Sequence, residues 1–261
     1  MPHGQSWFSF LPFDRELEAL VRLMPFSADG KTWLMGEPVS VAHVYGAVLI
    51  VLLLAVLALA TSRSLKAAGP DRLVPEDRLT LRTFAELFVG TIYRFMADSM
   101  GPRAARHFLP LIGTCAFFIF FSNSLGLIPG FLPPTNKLDT TLACALVIFC
   151  VTHVYGVKHH GLSYFKHFLG PIVKWRAAPL IVLMLFLETV SHLVRPLSLS
   201  VRLAANMDAD HRVLDQFGEL APFLIPIPML LLGALVVTVQ TLVFCLLSTV
   251  YIAMAIEQGD H

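Results

Sequence analysis

The chain has 261 residues, of which 56% are hydrophobic and only 14% charged. Water-soluble domains carry about 25% charged residues, so this composition, with a mean hydropathy of +0.71, excludes one and describes an all-α polytopic membrane protein. A formal net charge of +1 supplies no electrostatic footprint for nucleic acid.

Residues 1–42 mix aromatic, acidic and basic residues without the basic start, short apolar run and small-residue cleavage site of a signal peptide. Trp7, Phe8, Phe10 and Trp33 suit a membrane interface, and an ordered tail fits them as well. The first span is 43–62, an uncharged run of about 20 residues, long enough to cross a bilayer. Arg63 and Lys66 follow at once, and Arg72, Arg78, Arg82, Arg94 and Arg103 continue the basic character through 63–106. The positive-inside rule assigns that loop to the cytoplasm and the N-terminus to the outside.

Within the loop, Leu81, Phe84, Phe88, Ile92 and Phe95 recur at steps of three and four, with Arg82, Glu86, Arg94 and Asp98 on other faces. That pattern predicts an amphipathic helix over 76–100, lying on the membrane surface or against the protein, with docking of a partner subunit as the functional alternative. The second and third spans fall within 107–157, separated by a Pro-rich outer loop. Asn123, near the end of the second, reads either as a helix–helix hydrogen bond or as part of a water path. Lys158, Lys166, Lys174 and Arg176 place the following loop, 158–178, inside. His153, His159, His160 and His167 lack the cysteines or carboxylates that would complete a metal site, so no metal is expected there. The cysteines Cys115, Cys144, Cys150 and Cys245 all lie in apolar segments and read as small hydrophobes.

The most informative stretch is 179–211. It is apolar, yet it carries Glu188, His192, Arg195, Arg202 and Asn206 at steps of four, three, seven and four, with Leu199 filling the gap. A helix places all these positions on one stripe, roughly 27 Å from Glu188 to Asn206 at about 1.5 Å per residue. Each charge at such depth costs about 2.5–3.5 kcal/mol on insertion scales, which points to an ion path. Arg202 lies roughly 21 Å along the helix from Glu188, too far for pairing, whereas Arg195 offers Glu188 a stretched ion pair two turns away. Residues 208–220 are densely charged and read as an outer turn. The last span, about 222–256, has Pro226 and Pro228 to bend or delay its start and Gln240 as its conspicuous polar residue. Five crossings result, in one integral membrane domain over 1–261, with 179–256 as a conducting helix pair and the C-terminus inside.

The run ETVSHLVRPLSLSVRLAANMDADH resembles the signature helix of subunit a of rotary F-type ATP synthases of the bacterial type. The run VQTLVFCLLSTVYIAMAIE resembles that family's last helix, glutamine included, and NSLGLIP and WFSFLP agree with it. The resemblance implies a proton-translocating stator subunit in the bacterial inner membrane. Its last two helices form a hairpin against the proteolipid c-ring. Subunit b of the peripheral stalk and the other synthase subunits are implied as partners, with the lipid bilayer around them. It implies no cofactor, and it leaves ATP chemistry to partner subunits, in keeping with the absence of a Walker loop from the sequence.

Residue by residue, the resemblance gives Arg202 the role of the arginine that faces the ring carboxylates and separates two half-channels. A guanidinium suits that role because it stays charged where a lysine would neutralise. Glu188, with Ser191 and His192, falls on the inner half-channel, although the family more often has an apolar residue at His192. Asn206, His211, Gln240 and Asn123 fall on the outer one. Relatives place a complementary acid or base seven residues before the glutamine; here that position is Gly233. Asp208, Asp210, Asp215 and Glu219 are the candidate substitutes, Asp210 with His211 foremost. Ala204 and Ala205 replace bulkier residues and permit close helix approach. Two other readings compete. A free-standing ion or solute transporter predicts inverted repeats and a broken mid-membrane helix, which the sequence lacks. A membrane scaffold subunit leaves Arg202 without a partner inside the chain.

Overall fold

Backbone in hydrocarbon must satisfy its own hydrogen bonds, which leaves helices for apolar runs of this length. The computed structural model describes residues 42–67, 80–128, 130–161, 178–220 and 226–257, and every long element among them is a helix. These are α1 (Ala42–Ala67), α2 (Leu81–Leu125), α3 (Leu138–His160), α4 (Ala178–Leu220) and α5 (Pro226–Glu257), with a 3-10 turn at Pro134–Asn136. All five helices are long and apolar enough to cross a membrane, so the five expected crossings are present. The expectations attached to Trp7, Trp33, Arg72, Arg78, Lys166, His167, Lys174 and Arg176 fall outside the described residues.

The expected amphipathic helix and the second span are both parts of α2, joined through a break at Gly101 (φ 79°, ψ 159°). Only glycine enters that backbone region without strain, and Pro102 follows where a first helical turn accepts it. Thr80 caps the start, its hydroxyl accepting from the Thr83 amide at 3.3 Å. Before the break, Ile92 and Met96 are buried, whereas Leu81, Leu87 and Phe95 are exposed apolar groups of the kind that suit a lipid interface. Arg82, expected on a polar face, is buried.

The charged segment 208–220 corrects a sequence expectation, because α4 continues through it as helix and makes no turn. Its charges are accommodated along the helix, as where Arg212 Nε donates to Asp208 Oδ2 at 2.8 Å one turn away. Helix α3 ends at Gly161 (φ 58°), whose amide bonds the Val157 carbonyl at 2.7 Å. Lys158, His159 and His160 in its last turn complement the helix dipole. Hydroxyls of Thr61, Thr114, Thr152, Thr189 and Thr249 each donate to a carbonyl one turn back, which keeps them satisfied away from water.

The chain divides into two compact units. The first takes residues 1–84, 117–137 and 206–238. In it α1 packs on the 3-10 turn, where a Cβ at Gly46 would lie 3.2 Å from Pro134, and Phe84 meets the Phe120 and Phe121 rings at 6.4 and 6.3 Å. The second takes 85–116, 138–205 and 239–261. Its core includes Met96, Ile112, Ile148, Leu203, Phe244 and Ile252, and His107 bonds the Tyr155 hydroxyl at 2.7 Å.

Candidate ion-conducting site

The rotation of α4 decides what its polar stripe can do. His192, Pro196, Leu199, Ser200, Leu203, Ala204 and Met207 are buried and define the face turned into the protein. Ser191, Ser198, Arg202, Ala205, Asn206 and Ala209 are exposed. The stripe therefore straddles the edge of the buried face. Its His192 and Leu199 members point inward, and Arg202 and Asn206 point out. No ion pair of Arg202 occurs among the described residues. Of the two small residues ahead of Asn206, Ala204 is buried and Ala205 exposed.

Glu188, His192 and Arg195 lie in the second unit. The His192 ring is 9% exposed, and its Nδ1–H donates to the Glu188 carbonyl at 2.9 Å. The same nitrogen stands 3.4 Å from Glu188 Oε1. Glu188 is thus engaged one turn away by His192, while Arg195 lies over the Tyr251 ring at 5.5 Å. The stretched Glu188–Arg195 pair considered from spacing is not what forms. Beside these residues opens a small cleft, lined among others by His153, His192, Arg195 and Tyr251. Ser191, expected on the same route, is exposed, less than one turn along α4 from Glu188.

The first unit holds the groups expected on the outer route other than Gln240. A Cβ built on Gly233 would meet Asp210 Oδ2 at 2.9 Å and Leu127 Cδ2 at 2.9 Å. The Asp210 carboxylate is therefore seated in the space that a side chain at 233 would fill. His211, next in the chain, is half-buried, and Asn206 is exposed one turn earlier. Asp208 is taken up by Arg212. Glu219 and Asp215 are in the α4 backbone, but their side chains lie outside the described residues. Asn123 is 1% exposed, and its Oδ1 accepts from the Thr135 hydroxyl at 2.5 Å, which ties the end of α2 to the 3-10 turn.

Gln240, in the second unit, is 6% exposed, and Thr241, Ser248 and Thr249 of α5 are buried as well. Among the described residues, no group of three or more His, Cys, Asp or Glu side chains is arranged to hold a metal ion. Sequence reasoning missed His153 and Tyr251. A signal for Tyr251 was available: it lies eleven residues after Gln240, three turns along the same face of α5. His153 carried no such signal, because its cross-helix neighbour is set by packing.

Residues 43–253 match the family model described as "ATP synthase A chain". The chain is 48% identical to "ATP synthase subunit a" of Trichlorobacter lovleyi over 218 residues, 84% of this chain and 88% of that one. It is 42% identical to "ATP synthase subunit a 3" of Pelobacter propionicus over 254 residues, 97% and 98% of the two chains. The corresponding protein of Sorangium cellulosum is 48% identical over 191 residues, 73% of each.

Proposed function

This chain belongs to the ATP synthase A chain family, and from that premise we propose how its residues carry protons. It is a multi-pass membrane protein and the proton-translocating stator subunit of ATP synthase, whose ATP catalysis lies in other subunits. One observation carries the residue assignment: Arg202 is an exposed guanidinium inside the Val182–Val213 span, without an ion pair among the described residues. A charge in that position calls for a carboxylate from outside the chain, because hydrocarbon offers none. The partner is a ring of proteolipid c subunits, whose carboxylates pass Arg202 in turn. Ser191, Ser198, Ala205 and Ala209 on the same exposed flank are small enough for a partner helix to approach closely.

Protons reach the ring by two offset routes. The inner one uses Glu188, Ser191 and His192. The outer one uses Asp210 and His211, with Asn206, Gln240, Asn123 and Glu219 along it. Arg202 stands between them and blocks direct passage, so a proton crosses only while bound to the ring. The whole chain works as one membrane domain, with α4 and α5 as the hairpin that faces the ring and with subunit b of the peripheral stalk holding it still.

Two experiments test these assignments. A disulfide from Ala205→Cys to a cysteine beside the ring carboxylate is expected to form under mild oxidation of the assembled complex; failure to trap any ring subunit from this flank would remove the ring from the proposal. Orientation is read from impermeant thiol reagents on intact cells of the bacterial host. Cysteines replacing Arg63, at the end of α1, and Lys158, at the end of α3, are expected to react only from the cytoplasm of the inner membrane, as the basic residues there require. Labelling from outside would exchange the two routes.

A further inference from the structure

We propose that His153 of α3 and His192 of α4 form a two-histidine relay that delivers protons to Glu188, a step added to the inner route of the function proposed above and resting on it. The geometry fixes which nitrogen does what. In each ring Nδ1 faces the carbonyl one turn back, Phe149 O for His153 and Glu188 O for His192, both at 2.9 Å. A carbonyl only accepts, so each Nδ1 carries the proton and each Nε2 is the basic nitrogen. The two rings stand edge to face with centroids 5.5 Å apart, on separate helices, and both line the cleft. The cleft has room for about one ordered water between them.

Proton balance follows directly. A proton arriving through the cleft binds Nε2 of His192 and makes the ring an imidazolium. The Nδ1 proton then leaves to Glu188 Oε1, 3.4 Å away. One proton enters, one departs, and the ring is neutral before and after, left with its proton on Nε2. A turn of the ring, or proton exchange with water in the cleft, returns it to Nδ1 before the next transfer, and in the reverse direction the same atoms act in the opposite order. His153 extends this chain across to α3, handing protons between His192 and the cleft. The groups facing the pair are Glu188 and Arg195 from α4, Tyr251 from α5 and Thr152 from α3. Arg195, held over the Tyr251 ring, adds a fixed positive charge that opposes storage of an extra proton in the cleft and favours its passage to the Glu188 carboxylate.

The experiment uses the whole complex reconstituted in vesicles, with ATP-driven proton pumping and passive proton flux as readouts. His153→Phe keeps a ring and removes both nitrogens; flux is expected to fall about tenfold or more, the scale lost when a positioned proton-transfer group is removed. Adding His153→Ala to His192→Ala is expected to cost nothing beyond His192→Ala alone, since both serve one path. Imidazole in the buffer is expected to restore flux to His153→Ala, with a pH profile that follows imidazole titration. Unchanged flux in His153→Phe would overturn the relay, as would a loss in His153→Ala that imidazole leaves untouched, because a packing role does not respond to a free base. Arg202→Ala in the same vesicles separates the two readings: pumping retained there refutes the function proposed above, whereas pumping lost there with His153→Phe at full flux refutes the relay alone.

Discussion

Arg202→Ala is expected to lower ATP-driven proton pumping by about 100-fold or more, the scale on which loss of one preorganised electrostatic partner acts. The complex should still assemble, for a structural reason. Leu203, Ala204 and Met207 are the neighbours that fix the rotation of α4, and all three are buried, whereas Arg202 is exposed and makes no ion pair among the described residues. Its removal opens no cavity in the chain and takes from the span a charge that costs about 2.5–3.5 kcal/mol. Stability in detergent should therefore be unchanged or raised while transport disappears. Arg202→Lys is expected to be nearly as defective, because an ammonium at this depth loses its charge more readily and presents no planar fork to a carboxylate. Recovery of the intact complex, measured beside dye-detected acidification of inverted vesicles, separates the two effects. Pumping retained by Arg202→Ala would refute the assignment.

The second large effect is expected at the outer route, where Asp210 sits in the notch of Gly233. Asp210→Asn removes the proton-carrying oxygen with almost no change of shape, and flux driven from the outside is expected to drop about tenfold or more. Gly233→Ala approaches the same group from the opposite helix. Its new Cβ would stand 2.9 Å from Asp210 Oδ2 and 2.9 Å from Leu127 Cδ2, both ends of flexible side chains. The backbone need not move; the carboxylate must. Gly233→Ala should thus slow outside-driven flux while leaving assembly intact, and the double variant should be no slower than Asp210→Asn, since both act on one carboxylate. Flux at the original level in Asp210→Asn would pass the role to another acid on α4, Glu219 first. A double variant much slower than either single one would show that Gly233 serves something other than the seat of Asp210.

These two positions differ in how far the sequence reveals them. Arg202 is legible in the sequence: a guanidinium inside an apolar run is costly enough that its presence alone signals a role, and the resemblance names that role. The notch at Gly233 is half legible. The missing side chain seven residues before Gln240 can be counted, but that Asp210 fills its space depends on how α4 and α5 approach within the first unit. The inner group behaves likewise. Spacing offered Glu188 a partner in Arg195, yet it is His192 that stands 3.4 Å from its carboxylate, and Arg195 turns to Tyr251 on another helix. The 208–220 segment was misjudged because charge density reports the polarity of the surroundings and says nothing about backbone conformation. A helix that satisfies its charges one turn apart, as Asp208 and Arg212 do, looks like a turn to hydropathy alone.

By itself, then, the sequence determined the all-helical class, the five apolar spans, the family and the placement of Arg202 inside an apolar helix. Hydrophobic length and helical period are properties of a single segment and need no neighbour to be read. The tertiary structure alone decided which edge of the α4 stripe is buried, that His153 stands against His192, that Thr135 holds Asn123, and that Asp210 is seated over Gly233. Helical period fixes the angle of a side chain about its own axis, whereas the angle that faces another helix is set by packing, through buried groups such as Leu199, Leu203 and Phe244.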